Sequence, residues 1–494
     1  MVPKNTTLMY SNWTPRSLQH APEGTEFIVS FGQQYVIQWL HEQFTEFFEN
    51  ESYVDEAQEF LSKHLNTEYD ASHFQALWNL QYLPICFKSL SEGVRVPVKV
   101  PIMTWYNTHP DFAWLPLFLE TIISNQLWKP MTSATIVDGF RKNCKDGVLD
   151  TDATNEFLCD YLIHDFSARG MGSLETTVSS GMGFLTGSKG SDSLAAIKAC
   201  QKYYGEDMAG FSVNATEHSV SSTCMGIMSE QEMIEFYMDQ YPTGILSIVS
   251  DTFDLTKVVK PGGYIESLKD KILSRDGKIV LRPDSSPRTP ADIICGHDQE
   301  LTDRELEADY PEFYHKGLIQ CLWDIFGGAV NDQGYKVLDS HIGAIYGEAI
   351  SITMQEEIYR RLKEKGFAAT NIVMGIGSYT LNMNSRDSLG FAAKGTYAEF
   401  VTVGGKKGVD IYKDPVTSSG FKKSAKGLMK VEGSSGNYTM TDGVSWEEES
   451  QGELKVIYND GVFSNKTTLQ EIRDRLDDQP LPESIRFQEY MNKV

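Results

Sequence analysis

The sequence predicts an α/β fold built on a parallel sheet, closed into a barrel or left open, and two observations carry that reading. From roughly residue 140 onward, short apolar runs each end in a cluster of small or polar residues. Amphipathic helical stretches lie between several of them. Strand, polar tip, helix, strand is the signature of βα units, whose ligands gather at the C-terminal ends of the strands.

Taken in order, the first ~130 residues are aromatic-rich and mixed, a boundary read loosely. Within them "TEFIVSFGQQYVIQWLHEQF" reads as a strand running into an amphipathic helix. "GSKGSDSLAAIKACQKYYG" opens a helix with Asp192 near its N-terminus, and "NATEHSV" sets His218 among small and polar residues between two helical-looking stretches. The strand-like runs are "GILSIVSDTFD", "GKIVLRPDSS", "HIGAIYGEAI" and "NIVMGIGSYT". Between the last two, "SITMQEEIYRRLKEKGF" keeps Ile352, Met354, Ile358 and Leu362 at an approximate helical period, with Gly366 as its stop. "SRDSLGFAAKGT" places Arg386 and Lys394 on what reads as a further helix. The strand tips therefore carry Ser247 and Asp251, Arg282 and Asp284, Gly347 and Glu348, and Gly377 and Ser378, a set able to converge on one pocket.

Composition narrows the function classes. A chain of 494 residues can bury a large core, and its length suggests two or three domains. Its 68 acidic against 44 basic residues give a net charge of −24, a surface that repels nucleic acid and anionic membranes. An anionic substrate would need a local cluster of Arg and Lys. Seven scattered cysteines without C-x-x-C spacing argue against a disulfide framework or a zinc site and for a reducing compartment. "MVPKNTTLMYSNWTPRS" lacks the apolar core of a signal peptide, and no apolar run is long enough to span a bilayer, so a cytoplasmic protein is expected.

Several segments carry chemistry, each with a plainer alternative. Arg282 offers a planar fork for a carboxylate, phosphate or polarised carbonyl, and Asp284 faces the same side of an extended chain; otherwise the two simply close a strand end. The glycines of "YGEAI" and "MGIGSYT" could expose backbone N–H groups to phosphate, or mark tight turns. A glycine nest followed by Arg386 and Lys394 is more specific than either part. In "LIHDFSARG" the charged neighbours of Phe166 resist burial, which suits Phe166 to one wall for a planar ligand. Asp192 could be a helix cap, and His218 a loop residue satisfied by backbone.

Together, "HDFSARG", "KGSDS", "EHSV", "SDTFD", "LRPDS", "IYGEAI", "GIGSYT", "SRDSLGFAAK" and "YKDPV" occur in the order found in the nicotinamide phosphoribosyltransferase family, which the chain resembles over nearly its whole length. That family belongs with the nicotinate and quinolinate phosphoribosyltransferases. The resemblance implies an irregular α/β barrel (residues 136–395) with an outer α+β domain built from both chain ends, 1–135 and 396–494. It also implies a homodimer with shared active sites. The implied reaction joins nicotinamide to phosphoribosyl pyrophosphate, giving nicotinamide mononucleotide and pyrophosphate, coupled to ATP hydrolysis through a phosphohistidine, with Mg²⁺ nearby.

Carried over by position, His218 matches the phosphorylated histidine and Asp251 its acidic partner. Phe166 resembles one wall of the nicotinamide slot, with Arg169 beside it near the ribose phosphate. Asp192 resembles the acceptor for the carboxamide N–H₂. Val213, Ser247 and Arg282 border the ring or its amide, and Asp284 faces ribose hydroxyls. Gly347, Glu348, Gly377 and Ser378 resemble the phosphoribosyl cradle and Arg386 a phosphate clamp. Arg16 and Lys394 resemble basic residues lent across the dimer to ATP or pyrophosphate. The Mg²⁺ ligands are not among the matched positions.

Three departures stand out. The family's upstream "T-D-[SA]-Y-K-x-x-H", whose Tyr forms a second wall from the partner subunit, is absent before "VPKNTT", implying a late-annotated start or a one-walled, weaker slot. Glu348 stands where Asp is usual, and Ser378 and Tyr379 replace glycines found in some members. Two other readings remain, a nicotinate phosphoribosyltransferase and a catalytically silent dimeric binding protein. An ionised Asp192, which repels a carboxylate, weighs against the first. The retained His218, Asp251, Arg282, Asp284 and Arg386 weigh against the second.

Overall fold

The structure, a computed structural model, describes residues 2–22, 24–413 and 424–479. The chain divides into two compact units.

One unit comprises Ile136–Lys198 and Met208–Met383. Its main sheet has seven strands, all parallel: Ile163–Asp165, Gly190–Ser191, Asn214–Ala215, Thr243–Val249, Asp276–Arg282, Ile342–Tyr346 and Ile372–Ile376. Each pairs with its neighbours in this order except Gly190–Ser191 with Asn214–Ala215, and Ile372–Ile376 pairs back onto Ile163–Asp165. The gap between the second and third staves is closed by Phe211, which bridges Gly190 in parallel. Its N–H donates to the Lys189 carbonyl at 2.6 Å, and its own carbonyl accepts from Ser191 N–H at 3.0 Å. The short segment 211–215 thus pairs on both sides, and the sheet becomes an irregular barrel.

Strands buried on both faces need continuous apolar runs, and Ile342–Tyr346 is buried at every position. The helix Ile352–Glu364 covers such strands with Ile358, Tyr359 and Leu362. Ser351 caps it by accepting from Met354 N–H, and Gly366 ends it at φ +76°.

The other unit takes in the chain up to Thr135, Ala199–Asp207 and the chain from Asn384. Its seven-stranded antiparallel sheet runs Gly405–Asp410, Ala392–Thr402, Thr6–Thr14, Met103–Asn107, Ile85–Ser89, Lys455–Asn459, Val462–Phe463, so strands from both chain ends lie in one sheet. The helix expected to carry Arg386 and Lys394 does not form. Residues 386–390 are turns ending at Gly390, φ +60°, and Lys394 sits on the strand Ala392–Thr402, opposite Asn12. Pairing with a strand some 380 residues earlier overrides the local pattern. For the same reason the barrel unit stops at Met383, with 384–395 in the sheet unit. Residues 414–416 of "YKDPV" lie outside the described residues. Among the described residues no helix is long and apolar enough to cross a membrane.

Candidate functional site

At the C-terminal ends of the barrel strands, side chains from six segments meet. The first strand ends in Asp165, fully buried, whose Oδ1 accepts from Ser167 N–H (2.9 Å) and Oγ–H (2.6 Å) and whose Oδ2 accepts from Ser193 Oγ–H (2.7 Å). These bonds fix the turn that presents Phe166, whose N–H donates to the Ile376 carbonyl at 3.0 Å. The ring lies so close to Gly375 that a Cβ there would sit 2.3 Å from its edge, and one on Gly347 would come within 3.2 Å. Both glycines are therefore seats for the aromatic wall. The Gly347 N–H is not free to form a phosphate nest either, because it donates to Asp284 Oδ1 at 3.2 Å. The following backbone is strained, with Ala349 at φ +54°.

Facing this wall is a charged relay. Arg282 holds its guanidinium 4.9 Å from the Phe166 ring centre and donates through Nε (3.1 Å) and Nη2 (2.9 Å) to Asp284 Oδ2. Asp284 N–H (2.8 Å) and Ser285 Oγ–H (2.6 Å) both donate to Asp251 Oδ2. Asp251 Oδ1 is buried without a hydrogen bond, and 3.4 Å from it stands His218 Nε2. His218 Nδ1 lies 4.0 Å from Asp284 Oδ2. His218 is the first residue of the helix His218–Met225 rather than a loop residue. Glu217, just before it, lies 3.4 Å from Arg169 and 3.7 Å from Arg282. One imidazole with a carboxylate oxygen otherwise unsatisfied beside it is the arrangement of an oriented nucleophile or acid/base group.

Also beside Phe166, the His164 ring centre is 5.0 Å from the Phe166 ring, and His164 Nε2 lies 3.0 Å from Asp192 Oδ1. Ser212 Oγ–H donates to the same oxygen at 2.5 Å. Asp192 does not cap the helix Leu194–Tyr204; its backbone carbonyl, not its side chain, takes the Leu194 N–H. Burial pushes the Asp192 carboxyl up, but bonding to His164 and Ser212 and the charge of Arg282 outweigh it, leaving the group below its ordinary range. A half-exposed carboxylate is thus held ionised, with two donors on Oδ1 and, among the described residues, no hydrogen bond to Oδ2.

The remaining expected residues are distributed unevenly. Ser247 lies inside its strand, buried, with its carbonyl accepting from Thr216 N–H at 3.0 Å, while Val213 is exposed beside Ser212. Gly377 precedes the short helix Ser378–Asn382, and Ser378 packs on Gly170, where a Cβ would clash with its hydroxyl. The charge of Glu348 is felt at buried Tyr346 together with those of Asp284 and Asp251. Arg16, Arg386 and Lys394 belong to the sheet unit. Arg16 Nε donates to the Gly390 carbonyl (3.3 Å), Arg386 pairs with Asp387 (3.2 Å) and Lys394 with Glu120 (3.3 Å). His164, Ser212, Glu217 and Ser285 were not anticipated as site residues. Each adjoins an anticipated one or lies two residues from it, and that adjacency was the available signal.

Among the described residues no group of three or more His, Cys, Asp or Glu converges as a metal cage. The site does offer isolated carboxylates, and Mg²⁺ commonly takes only one or two from a protein, with substrate phosphates and water completing its shell.

Residues 161–478 match the model of the nicotinate phosphoribosyltransferase (NAPRTase) family. The chain is 40% identical over 498 residues to a nicotinamide phosphoribosyltransferase of Acinetobacter baylyi, covering 96% of this chain and 94% of that one. It is 28% identical over 432 residues to one of Xanthomonas campestris pv. campestris, covering 86% of each. Among solved structures, human nicotinic acid phosphoribosyltransferase superposes with a TM-score of 0.53 at 14% identity, over 99% of this chain and 96% of that one. The nicotinate-nucleotide pyrophosphorylase of Pyrococcus furiosus gives 0.54 at 13%, over 96% and 89%. These two likenesses concern the fold.

Proposed function

The chain belongs to the nicotinate phosphoribosyltransferase family, and from that premise we propose that it joins nicotinamide to phosphoribosyl pyrophosphate in NAD salvage, with ATP hydrolysis coupled through His218. The observation that carries the choice of base is Asp192, ionised, bonded through Oδ1 to the His164 that lies 5.0 Å from the Phe166 ring, and without a hydrogen bond to Oδ2 among the described residues. Such a group accepts a carboxamide N–H and repels a second carboxylate. The names of the relatives from Acinetobacter baylyi and Xanthomonas campestris point the same way.

In the transfer the pyridine nitrogen bonds to the ribose C1′ as the bond from C1′ to pyrophosphate oxygen breaks, and the electron pair leaves with pyrophosphate. Positive charge builds on the ribose, where carboxylates such as Asp284 favour it. Mg²⁺, when bound, neutralises charge on the pyrophosphate. Arg16, Arg386 and Lys394 suit contacts to phosphate, with Arg16 and Lys394 lent across a homodimer. The seven cysteines, all free and six of them buried, suit a cytoplasmic setting.

For coupling, a neutral His218 attacks the γ-phosphorus through one ring nitrogen and ADP departs. The proton on the other nitrogen is held by a carboxylate, for which Asp251 Oδ1 stands 3.4 Å away, a separation that shortens readily in a working complex. The experiment is to measure acid-labile phosphate on the protein after exposure to ATP. Wild type should be labelled and His218→Ala unlabelled, with weak ATP-independent nucleotide synthesis remaining; equal labelling would sink the reading.

A further inference from the structure

Past the strand Asp276–Arg282 the chain runs through Asp284, Ser285 and Ser286 to Arg288, whose side chain is held by Gln299, Glu300 and Glu305. Arg288 presents its fork to Glu305, with Nε 3.0 Å from Oε1 and Nη2 3.0 Å from Oε2. Nη2 also donates to the Glu300 carbonyl (2.7 Å), and Nη1 to Gln299. Glu305 is fully buried in the first turn of Asp303–Leu306, where it closes a capping box with Thr302. Bonding to Arg288, chiefly, pushes its carboxyl down to about 2 against the effect of burial. Buried His297 stands 3.5 Å from the same carboxylate. At the near end, Arg288 N–H donates to Ser286 Oγ (3.2 Å) and Ser286 Oγ–H to the Thr289 carbonyl (2.8 Å). One residue earlier, Ser285 holds Asp251.

A buried ion pair is a poor source of stability, because desolvation offsets most of its attraction. Its bidentate geometry does fix direction, and the part it directs is the loop touching Asp251. We propose that the Arg288–Glu305 pair positions Asp251: by anchoring the 284–289 loop it keeps two donors on Oδ2 and so leaves Oδ1 turned to His218. This rests on the ATP-coupling reading above. Neither Arg288 nor Glu305 touches a reacting atom; both act through Ser285 and Asp284. With the anchor loosened, Asp251 loses its fixed rotamer and His218 loses the acceptor that steadies its ring as the nitrogen–phosphorus bond forms.

The test is the rate of phosphoprotein formation with ATP, for wild type, Glu305→Gln, Arg288→Lys, Ser285→Ala and the Ser285→Ala/Glu305→Gln double variant. Glu305→Gln should slow labelling about tenfold, a modest share of what ~1 Å misplacement can cost, with the KM for ATP changed less than about twofold. Arg288→Lys keeps the charge without the fork and should fall between the two, and it carries the comparison if Glu305→Gln fails to fold. In the Ser285→Ala background the Glu305 change should add less than about twofold, since the contact it serves is gone. Labelling at the wild-type rate in the single variants, or full additivity in the double, overturns the proposal alone. An unlabelled wild type overturns the ATP-coupling reading and this one with it.

Discussion

Asp192→Asn tests base selection with the smallest change of shape. In the structure Oδ1 already takes two donors, from His164 at 3.0 Å and Ser212 at 2.5 Å. An asparagine therefore settles with its carbonyl oxygen there and its N–H₂ where Oδ2 was, turning the exposed side of the group from acceptor to donor. For nicotinamide a charge-assisted hydrogen bond is lost, about 1.5–3 kcal/mol. For nicotinate a like-charge contact disappears, roughly 4 kcal/mol for charges 4 Å apart at an effective dielectric of 20. Because the Asp192 side chain is 49% exposed, solvent screening brings that to about 2 kcal/mol. The two effects act in the same direction on the ratio of kcat/KM for nicotinamide over nicotinate. Their sum, about 3.5–5 kcal/mol, is an upper figure, since the two are not independent; we expect a fall of about 100-fold or more. The assay is nucleotide formation from each base at fixed pH with ATP and phosphoribosyl pyrophosphate saturating. A ratio within about threefold of wild type in a folded variant, under ~1 kcal/mol, refutes the account of amide selection.

Glu92 should make the protein's stability fall with rising pH. Burial foremost raises its carboxyl from 4.5 to about 7, against the Gln34 N–H bond to its Oε1 (2.7 Å) that lowers it, so the folded state holds a proton that the unfolded chain has released over that interval. Stability attributable to Glu92 is therefore intact below pH 4.5 and lost progressively up to about 7, at no more than about 1.4 kcal/mol per pH unit. The unfolding free energy of wild type minus Glu92→Gln should decline over this window, and a flat difference would contradict the buried acid. For shared active sites, Arg16→Ala chains mixed with Arg282→Ala chains should regain part of the activity each lacks, through the one site free of both lesions; no recovery despite demonstrated subunit exchange would count against a shared site.

The parts of the fold legible in the sequence were those whose cause is local. Apolar runs with polar tips mark strands because burial on both faces demands them, and Arg282 and Asp284 were seen as partners because an extended chain turns residues i and i+2 to one side. Lys394 was misplaced because its strand depends on Thr6–Thr14, far away in sequence, while "SLGFAAK" taken alone favours a helix. The residue pattern alone leaves barrel and open sheet both possible for a related reason: segment 211–215 makes only a bridge and a two-residue strand, too short for periodicity to register. Gly347 leaves a phosphate nest and a tight turn both legible in sequence, whereas in the fold its N–H donates to Asp284 and its missing side chain, with that of Gly375, leaves room for Phe166. Asp192 resembled a helix cap because helix starts favour Asp, while its actual partners, His164 and Ser212, are 28 and 20 residues away.

Charge balance explains how labour is divided in the proposed reaction. Around His218 the barrel cluster holds Glu217, Asp251 and Asp284 against Arg169 and Arg282. Arg282 is committed to Asp284, and Arg169 faces Glu217. Such a cluster suits a neutral base and a ribose gaining positive charge, and by itself repels two polyphosphates, the more so in a chain of net charge −24. Cations beyond the cluster are then a requirement, which Mg²⁺ with the phosphates and the guanidinium and ammonium groups of Arg16, Arg386 and Lys394 meet in the proposed complex. A phosphorylated His218 sharpens the same point: it adds negative charge beside Asp251 and Asp284, favouring a developing ribosyl cation further. In the proposed coupling ATP would thus act on the barrel's electrostatics as well as supply free energy, and the benefit would disappear with the imidazole.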